Sequence, residues 1–352
     1  MSQEIDFTEL TMRVKDALAG NTATSGATML PTATAEEIIG IVYERNFMRG
    51  LFPAMPMSRR KLMVPKLTGS VSFHGRSLAE TTTGTAAAES SNTTGEVELH
   101  LKTMIANIPI GNYLIAYGVE GLMSVLRDDI ASRLAFNEVS LLINGDTVTA
   151  GTPAYSDNIN GAYDGTTNAT GVSGSANDYL LLFDGLRKQA GATNVAAGGS
   201  FTLAHLRSAI ASLGVHADNR DDLALIVPRN LEVELLGMTE LQTVDKYGMQ
   251  ATILSGEIGR IYGVRVFGTG AIALNLNAAG IYDGTTTDKT VACLLNIRSP
   301  MIGNPTVAER RFSVGFLDEP TKDRFVLIPK QDIAFAIRHT EAVCLIVGIA
   351  TI

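Results

Sequence analysis

Residues 119–145, Val119–Gly145, read VEGLMSVLRDDIASRLAFNEVSLLING, and the rest of the chain is organised around them. Val119, Leu122, Leu126, Ile130, Leu134 and Leu141 step by 3, 4, 4, 4 and 7, which puts them on one stripe of a helix. At about 1.5 Å per residue such a helix reaches roughly 40 Å, longer than most helices of compact domains, and needs something extended to lie against. Asp129 and Arg133 stand four apart with the acid first, the favourable order for an exposed pair, and Asn144-Gly145 supplies a stop. One face therefore meets protein, and Arg127, Asp128, Asp129 and Arg133 face solvent or a neighbour.

On both sides of this helix lie stretches that cannot fold alone. Upstream, Lys61–Leu67 and Val71–Phe73 read as strand pieces. Glu96–Pro109 alternates Val97, Leu99 and Leu101 against Glu96, Glu98, His100 and Lys102, a half-exposed strand. Between them RSLAETTTGTAAAESSNTTG, 76–95, has one Leu and no aromatic, so the two strands carry a long polar tip that needs a partner to lie on. Further upstream, Phe7, Leu10, Val14 and Leu18 at steps of 3, 4 and 4 make a short amphipathic helix over 6–19, followed by a Gly/Thr/Ser/Ala linker. Thr34 and Glu37 then match a capping box before AEEIIGIVYERNFMRGLF, with Pro53 and Pro56 beyond its end.

Downstream, Asp146–Asn177 is a polar, Gly/Thr-rich loop. Helices are expected over 179–190 and 202–213, the latter capped by Thr202. LALIV, 223–227, is a short buried strand before the helix NLEVELLGM, and 259–267 reads as a turn and strand. Residues 291–297, 312–316, 325–328 and 342–349 complete a strand-rich half. Helices and strands without a regular βαβ period give an α+β chain.

The chain of 352 residues is 45% hydrophobic and only 18% charged, with a net charge of −8 and a mean hydropathy of +0.16. That apolar balance suggests surface hidden in an oligomer, and the acidity excludes a protein that grips phosphate over its whole surface. No stretch approaches the roughly 20 apolar residues of a membrane span, and no targeting segment is visible. The two cysteines, Cys293 and Cys344, stand far apart in the sequence, pointing to buried reduced thiols without a disulfide or metal framework. The five histidines are dispersed, and phosphate-loop, nucleophile-elbow, dinucleotide and zinc-protease motifs are all missing. No catalytic residue, cofactor or metal is assigned. Asp218, Asp221 and Asp222 around Arg220 lack the ligand alternation of a calcium loop and read as a solvated turn. Glu309, Arg310 and Arg311 read either as a solvated loop or as inter-subunit ion pairs, and Asp318–Arg324 as a charged turn.

The order of arm, capped helix, polar-tipped hairpin, long helix ending in Asn-Gly-Asp, loop and α+β half resembles the major capsid proteins of tailed bacteriophages, which have the HK97-like fold. SVSFHGRSLAE resembles the start of that family's hairpin, leading to Glu80. RDDIASRLAFNEVSLLINGD is similar to its spine helix, and LALIVPRNLEVELLGM with ILSGEIGRIYGVRVF to its later strand and helix. The hairpin Trp of the family is missing, and Phe73 takes its place.

The resemblance implies an N-terminal arm (1–30), a peripheral domain (31–60 and 110–178) carrying the spine helix over 119–145, an extended loop (61–109), an axial domain (179–297) and C-terminal strands (298–352) returning to both domains. It implies self-assembly into hexamers and pentamers of an icosahedral shell around double-stranded DNA, bound without sequence specificity. The partners are other copies of the chain, a portal, and separate scaffolding or decoration proteins. The place is the virion capsid, assembled in the host bacterial cytoplasm. Phe7, Leu10, Val14 and Leu18 of the arm, Arg76, Glu80 and Glu89 of the loop, and Glu309, Arg310 and Arg311 are the expected inter-subunit contacts. Some relatives weld their shells through a hairpin lysine; the tip 76–95 has none, so no such weld is expected. An encapsulin-like nanocompartment and a soluble enzyme with an unfamiliar site are the alternatives.

Overall fold

The computed structural model describes residues 46–69, 73, 93–112, 122–148, 158–161, 178–237, 257–286 and 288–351. The strands before the long helix are β1 (Ala54–Met57), β2 (Lys61–Leu67), β3 (Thr94–His100), β4 (Lys102–Ile105) and β5 (Ile108–Gly111). After it come β6 (Val195–Ala196), β7 (Leu223–Pro228), β8 (Glu257–Ile261), β9 (Val264–Thr269) and β10 (Lys289–Asn296). The last are β11 (Pro300–Pro305), β12 (Ser313–Glu319), β13 (Arg324–Ile337) and β14 (Val343–Ala350).

The long helix runs Leu122–Asn144, so its expected first residues, 119–121, lie outside the described residues. Its two halves have different surroundings. Leu126, Ile130 and Leu134 are half-buried and pack with Ala131 and Ala135 on Ile110, Val314 and Leu327 of a sheet. From Glu138 to Asn144 every residue is buried, because this end is covered by protein on all sides. Leu142 and Ile143 are therefore fully buried beside Leu141, although they lie outside the expected stripe.

The sheet under the first half has the order β1-β11-β13-β12, with β4 and β5 also pairing to β13. The 14-residue β13 is its backbone; the expected strand 325–328 continues through Pro329 to Ile337. Pro329 lacks an N–H; it stands opposite Val314 of β12, and on the other side of β13 it falls in the gap between the pairing with β5, which reaches Leu327, and that with β4, which starts at Lys330. The second sheet has the order β6-β14-β10-β7-β9-β8. Its strand β7, LALIVP, is buried at every position between β10 and β9, which is why its sequence is continuously apolar rather than alternating. Strands β8 and β9 join through Tyr262-Gly263, both with positive φ, at 51° and 81°; this twist suits a two-residue hairpin turn. The expected "turn and strand" is thus a complete hairpin.

One face of the second sheet carries the helices Leu203–Ser212 and Arg229–Leu236, through Leu206, Ala209, Leu231 and Leu235. The other face meets the buried end of the long helix, Phe183, Leu186 and the short helix Phe47–Leu51. That last cluster also contains Ile302, Ile333 and Phe335 of the first sheet, so both sheets share one core at the helix end. The helix expected over 179–190 breaks into a 3-10 turn, Tyr179–Leu181, and a short helix, Leu186–Gln189. The break is at Gly185, whose backbone lies so close to the long helix that a Cβ there would sit 2.8 Å from the carbonyls of Leu142 and Ile143.

Strands β2 and β3 form a separate two-stranded hairpin with Leu62 opposite Leu99 and Val64 opposite Val97. Val64 and Leu99 face inward with Met57 and Met301. The other face leaves Met63 and Leu67 exposed beside Glu96 and Glu98. The alternation read from the sequence of β3 is the one observed. Beyond it Phe73 is 96% exposed.

Candidate assembly surfaces and the hub that positions them

The Asn144-Gly145-Asp146 end of the long helix does more than stop it. Asn144 donates to the Ala271 carbonyl at 2.7 Å and accepts from Arg187 Nη1 at 2.8 Å. Arg187 Nη2 donates in turn to the Gly280 carbonyl at 2.6 Å. Burial alone explains why the Arg187 guanidinium is lowered to about 10, with partial relief from Cys293 and Asp146. Asp146 is fully buried; it accepts from Ile159 N at 2.9 Å and pairs with Lys188 at 2.9 Å. These contacts clamp the helix end to the connection between β9 and β10 and to the short helix Leu186–Gln189.

The loop after the helix takes part in the clamp. It reads as a polar surface loop, yet Asn158 and Asn160 are buried. Asn160 Nδ2 donates to the Asn144 carbonyl at 2.6 Å, satisfying a carbonyl the helix end leaves open, and Asn158 Nδ2 donates to the Val148 carbonyl at 2.6 Å. Where the loop comes back against the helix end it is structural.

A second polar contact lies one turn back. Glu138 and Arg49 form an ion pair at 2.5 Å with side chains 0% and 6% exposed. Gln331 of β13 donates to Glu138 at 3.3 Å, and Arg49 Nη1 donates to Asn304 at 3.0 Å. This links the segment after the arm, the long helix and the first sheet. Asn46 starts the short helix there by accepting from Met48 N at 3.1 Å. Neither Arg187 nor the Arg49–Glu138 pair is among the expected site residues. Glu138 within the apolar run FNEVSLLI was the available signal, since a carboxylate there needs a partner.

Of the expected contacts, Phe7, Leu10, Val14, Leu18, Arg76, Glu80 and Glu89 lie outside the described residues, as does the capping box at Thr34, and the side chain of Glu309 is also outside them. Arg310 and Arg311 sit in a short helix, Ala308–Arg311, rather than a loop. Arg310 pairs with Asp332 at 3.6 Å while its side chain stays 68% exposed, and Arg311 Nε donates to the Pro305 carbonyl at 2.8 Å. Each thus has a partner in its own chain. The acidic turn is held similarly: Asp221 pairs with Arg260 at 3.1 Å and Asp222 with Arg298 at 3.0 Å. In the turn 318–324, Glu319 pairs with Arg324 at 2.7 Å and Lys322 at 3.3 Å, and hydrogen bonds from these two hold its carboxyl below the usual range.

The cysteines, distant in sequence, occupy adjacent strands, with Cys344 opposite Leu294 and Cys293 opposite Leu345. Their side chains enter different cores on opposite faces of the sheet, and both are free. Burial pushes the Cys293 thiol up to about 12 and raises Cys344 as well. Two of the dispersed histidines also meet: the rings of His216 and His339 are 5.5 Å apart. Among the described residues no three metal-ligating side chains converge, and no helix is long and apolar enough to cross a membrane.

Two six-stranded sheets bridged by one buried helix end, with a hairpin packed on the first sheet through Val64 and Leu99 and open on its outer face, give a mixed helix-and-strand fold of the HK97-like class. The phage capsid family model matches residues 26–233, more than half of the chain, and the chain belongs to that family as a capsid shell protein, a component of the virion capsid. Solved structures agree in fold. The capsid of a native GTA particle matches with a TM-score of 0.53 at 15% identity, covering 94% of this chain and 95% of that one. The satellite phage P4 procapsid including size determination (Sid) protein matches with 0.53 at 12%, covering 98% of each chain. Microbacterium phage Oxtober96 matches with 0.51 at 13%, covering 99% and 95%. No curated protein sequence matches the chain.

Proposed function

We propose that the chain forms hexamers and pentamers of an icosahedral shell enclosing double-stranded DNA, assembled in the host bacterial cytoplasm, without a catalytic role of its own. The sheet built on β13 serves as the peripheral domain, the sheet built on β7 and β10 as the axial domain, and the hairpin β2–β3 with its tip as the extended loop. The observation that carries this reading is the hairpin's outer face, where Met63 at 48% and Leu67 at 59% exposure, with Phe73 at 96% beyond the strand, are apolar groups that a neighbouring copy would cover.

Arg76, Glu80 and Glu89 of the tip would then meet that neighbour, the arm residues Phe7, Leu10, Val14 and Leu18 would bury on a partner surface, and Glu309, Arg310 and Arg311 would add ion pairs at a rim. A portal closes one vertex. Scaffolding from a separate protein is supported by the matched procapsid structure, which includes a size determination protein. An acidic wall suits a packaged genome, since tight phosphate binding would impede packing.

The test is expression of the chain, alone and with candidate scaffold proteins, followed by sedimentation and negative-stain microscopy. Closed particles are expected, and particles purified from infected cells contain DNA rather than a cargo enzyme. Small oligomers under every condition would sink the reading. In boiling SDS the particles run as single chains, as a hairpin tip without lysine requires.

A further inference from the structure

Five basic side chains gather where β13 ends: Arg338 and His339 after that strand, Arg298 between β10 and β11, His216 in the 3-10 turn Gly214–Ala217, and Lys66 of the hairpin strand β2. Hydrogen bonds fix the frame that carries four of them. Ser299 Oγ donates to the His339 carbonyl at 2.8 Å and accepts from His339 N at 2.9 Å, and Arg338 N donates to the Ser299 carbonyl at 2.9 Å. Asn296 Nδ2 donates to the His216 carbonyl at 2.8 Å, and the rings of His216 and His339 stand 5.5 Å apart. Arg298 and Arg338 both line a cleft of about 430 Å³ among apolar side chains such as Met55 and Ile297.

Few acids answer these charges. Arg298 is paired with Asp222 at 3.0 Å. Among the described residues neither Arg338 nor Lys66 has a carboxylate partner; Arg338 Nε is buried without a hydrogen bond, and its Nη2 reaches only the Met301 sulfur at 3.6 Å. Burial first, and then the like charges of His216, Lys66 and Arg338, hold the His339 ring below its usual value, while Glu341 alone opposes them. In a chain with 36 acids against 28 lysines and arginines, basic groups gathered around a single opposing acid are a local exception. Like charges held on a fixed frame repel, and apolar walls strengthen their field. An anion relieves such a cluster, and a guanidinium beside an ammonium suits the oxygens of a tetrahedral oxyanion.

We infer that the junction of Lys66, Arg338 and His339, with His216 beside it, is a binding site for a phosphate-class oxyanion, supplied as a free ion or as a phosphate of a nucleic-acid backbone. The anion ties the hairpin strand β2 to the end of β13 and to the turn at His216, three parts that otherwise present like charge to one another. Binding and protonation of the two imidazoles reinforce each other, so the site tightens as pH falls through the histidine range. The inference stands apart from the shell reading, since every group in it belongs to one copy.

Thermal melting of the full-length chain tests it, in sulfate, whose charge is constant over the range, and in inorganic phosphate, each against chloride at matched ionic strength. Both anions are expected to raise the melting temperature in a saturable way, and the apparent affinity for sulfate to strengthen at least about threefold from about pH 7.5 to about pH 5.5. Arg338→Met and Lys66→Met each weaken it at least about tenfold, with circular dichroism showing that the fold persists, whereas Arg133→Met on the exposed face of the long helix leaves it unchanged. His339→Gln keeps the binding at the higher pH and loses the strengthening. A thymidine oligonucleotide in place of the salts separates the sources: a shift with the salts alone assigns a free ion, and a larger one with the oligonucleotide assigns backbone phosphate. No saturable shift with any probe, an affinity indifferent to pH, a shift that survives both Arg338→Met and Lys66→Met, or one that Arg133→Met also removes would each overturn the inference. Sedimentation of the same samples keeps the two readings apart. A saturable shift in chains that never assemble supports the site and counts against the shell, and particles without the shift do the reverse.

Discussion

The two halves of the long helix carry charges in opposite circumstances. Toward its start Asp129 and Arg133 lie 3.8 Å apart with side chains 67% and 76% exposed. Near its end Glu138 and Arg49 touch at 2.5 Å with almost no exposure. The first pair follows from sequence spacing alone, whereas the second joins residues 89 positions apart (138 − 49) and exists only because three elements close over it. Water screens the first pair and makes it nearly worthless. Around the second there is no water to take over if one partner leaves.

That contrast sets the largest expected effect. Arg49→Leu strands a carboxylate among Gln331 and the apolar residues of both sheets, and should cost about 3–5 kcal/mol in chemical denaturation. Combining it with Glu138→Leu should recover most of the loss, because the pair's desolvation cost vanishes with its attraction. If the double variant were as unstable as the single, the pair would matter for shape rather than for charge. Next comes the inner face of the helix's first half. Leu126→Asp or Ile130→Asp sets a charge against Phe312, Val314 and Leu327 and should cost about 3 kcal/mol, enough to abolish folding in a marginal subunit.

What the sequence reveals and what it hides divides along the same line. The helix, its exposed pair, the alternation in β3, the buried run of β7 and the order of parts are local patterns, and period and polarity disclose them. The hub around Arg187 is not local. Asn144, Asn160, Arg187 and Gly280 lie in four separate stretches, and two belong to segments that read as polar loop or ordinary helix. The meeting of His216 and His339, and of the two cysteine-bearing strands, is likewise a product of topology. The continuation of β13 through Pro329 escaped because proline ordinarily ends a strand, and here it falls where the neighbouring pairing passes from β5 to β4.

A smaller effect should appear with pH. His339 is lowered from 6.5 by burial first and by the neighbouring His216 second, with Lys66 and Arg338 adding repulsion and Glu341 opposing it. The folded state therefore resists protonation more than the unfolded one. Its contribution is complete above the unfolded value near 6.5 and is lost as pH falls through the lower folded value. Melting temperatures should decline on acidification below that point, and His339→Gln should flatten the decline. An unchanged profile in the variant would assign the acid sensitivity to carboxylates instead.

The smallest effect should come from the pair that is easiest to read. Asp129→Ala removes an exposed i,i+4 partner at 3.8 Å, a contact worth about 0.3–0.5 kcal/mol, and alanine returns part of that through its higher helix propensity. The subunit should stay folded, with a denaturation midpoint close to that of the parent. Any large defect must then appear in assembly, because a side chain 67% exposed in one copy is free to meet another. A folded monomer of Asp129→Ala that failed to build particles would turn this face of the helix from a solvated surface into a contact. A variant that unfolded would mean that the two halves of the helix are not as different as their burial makes them.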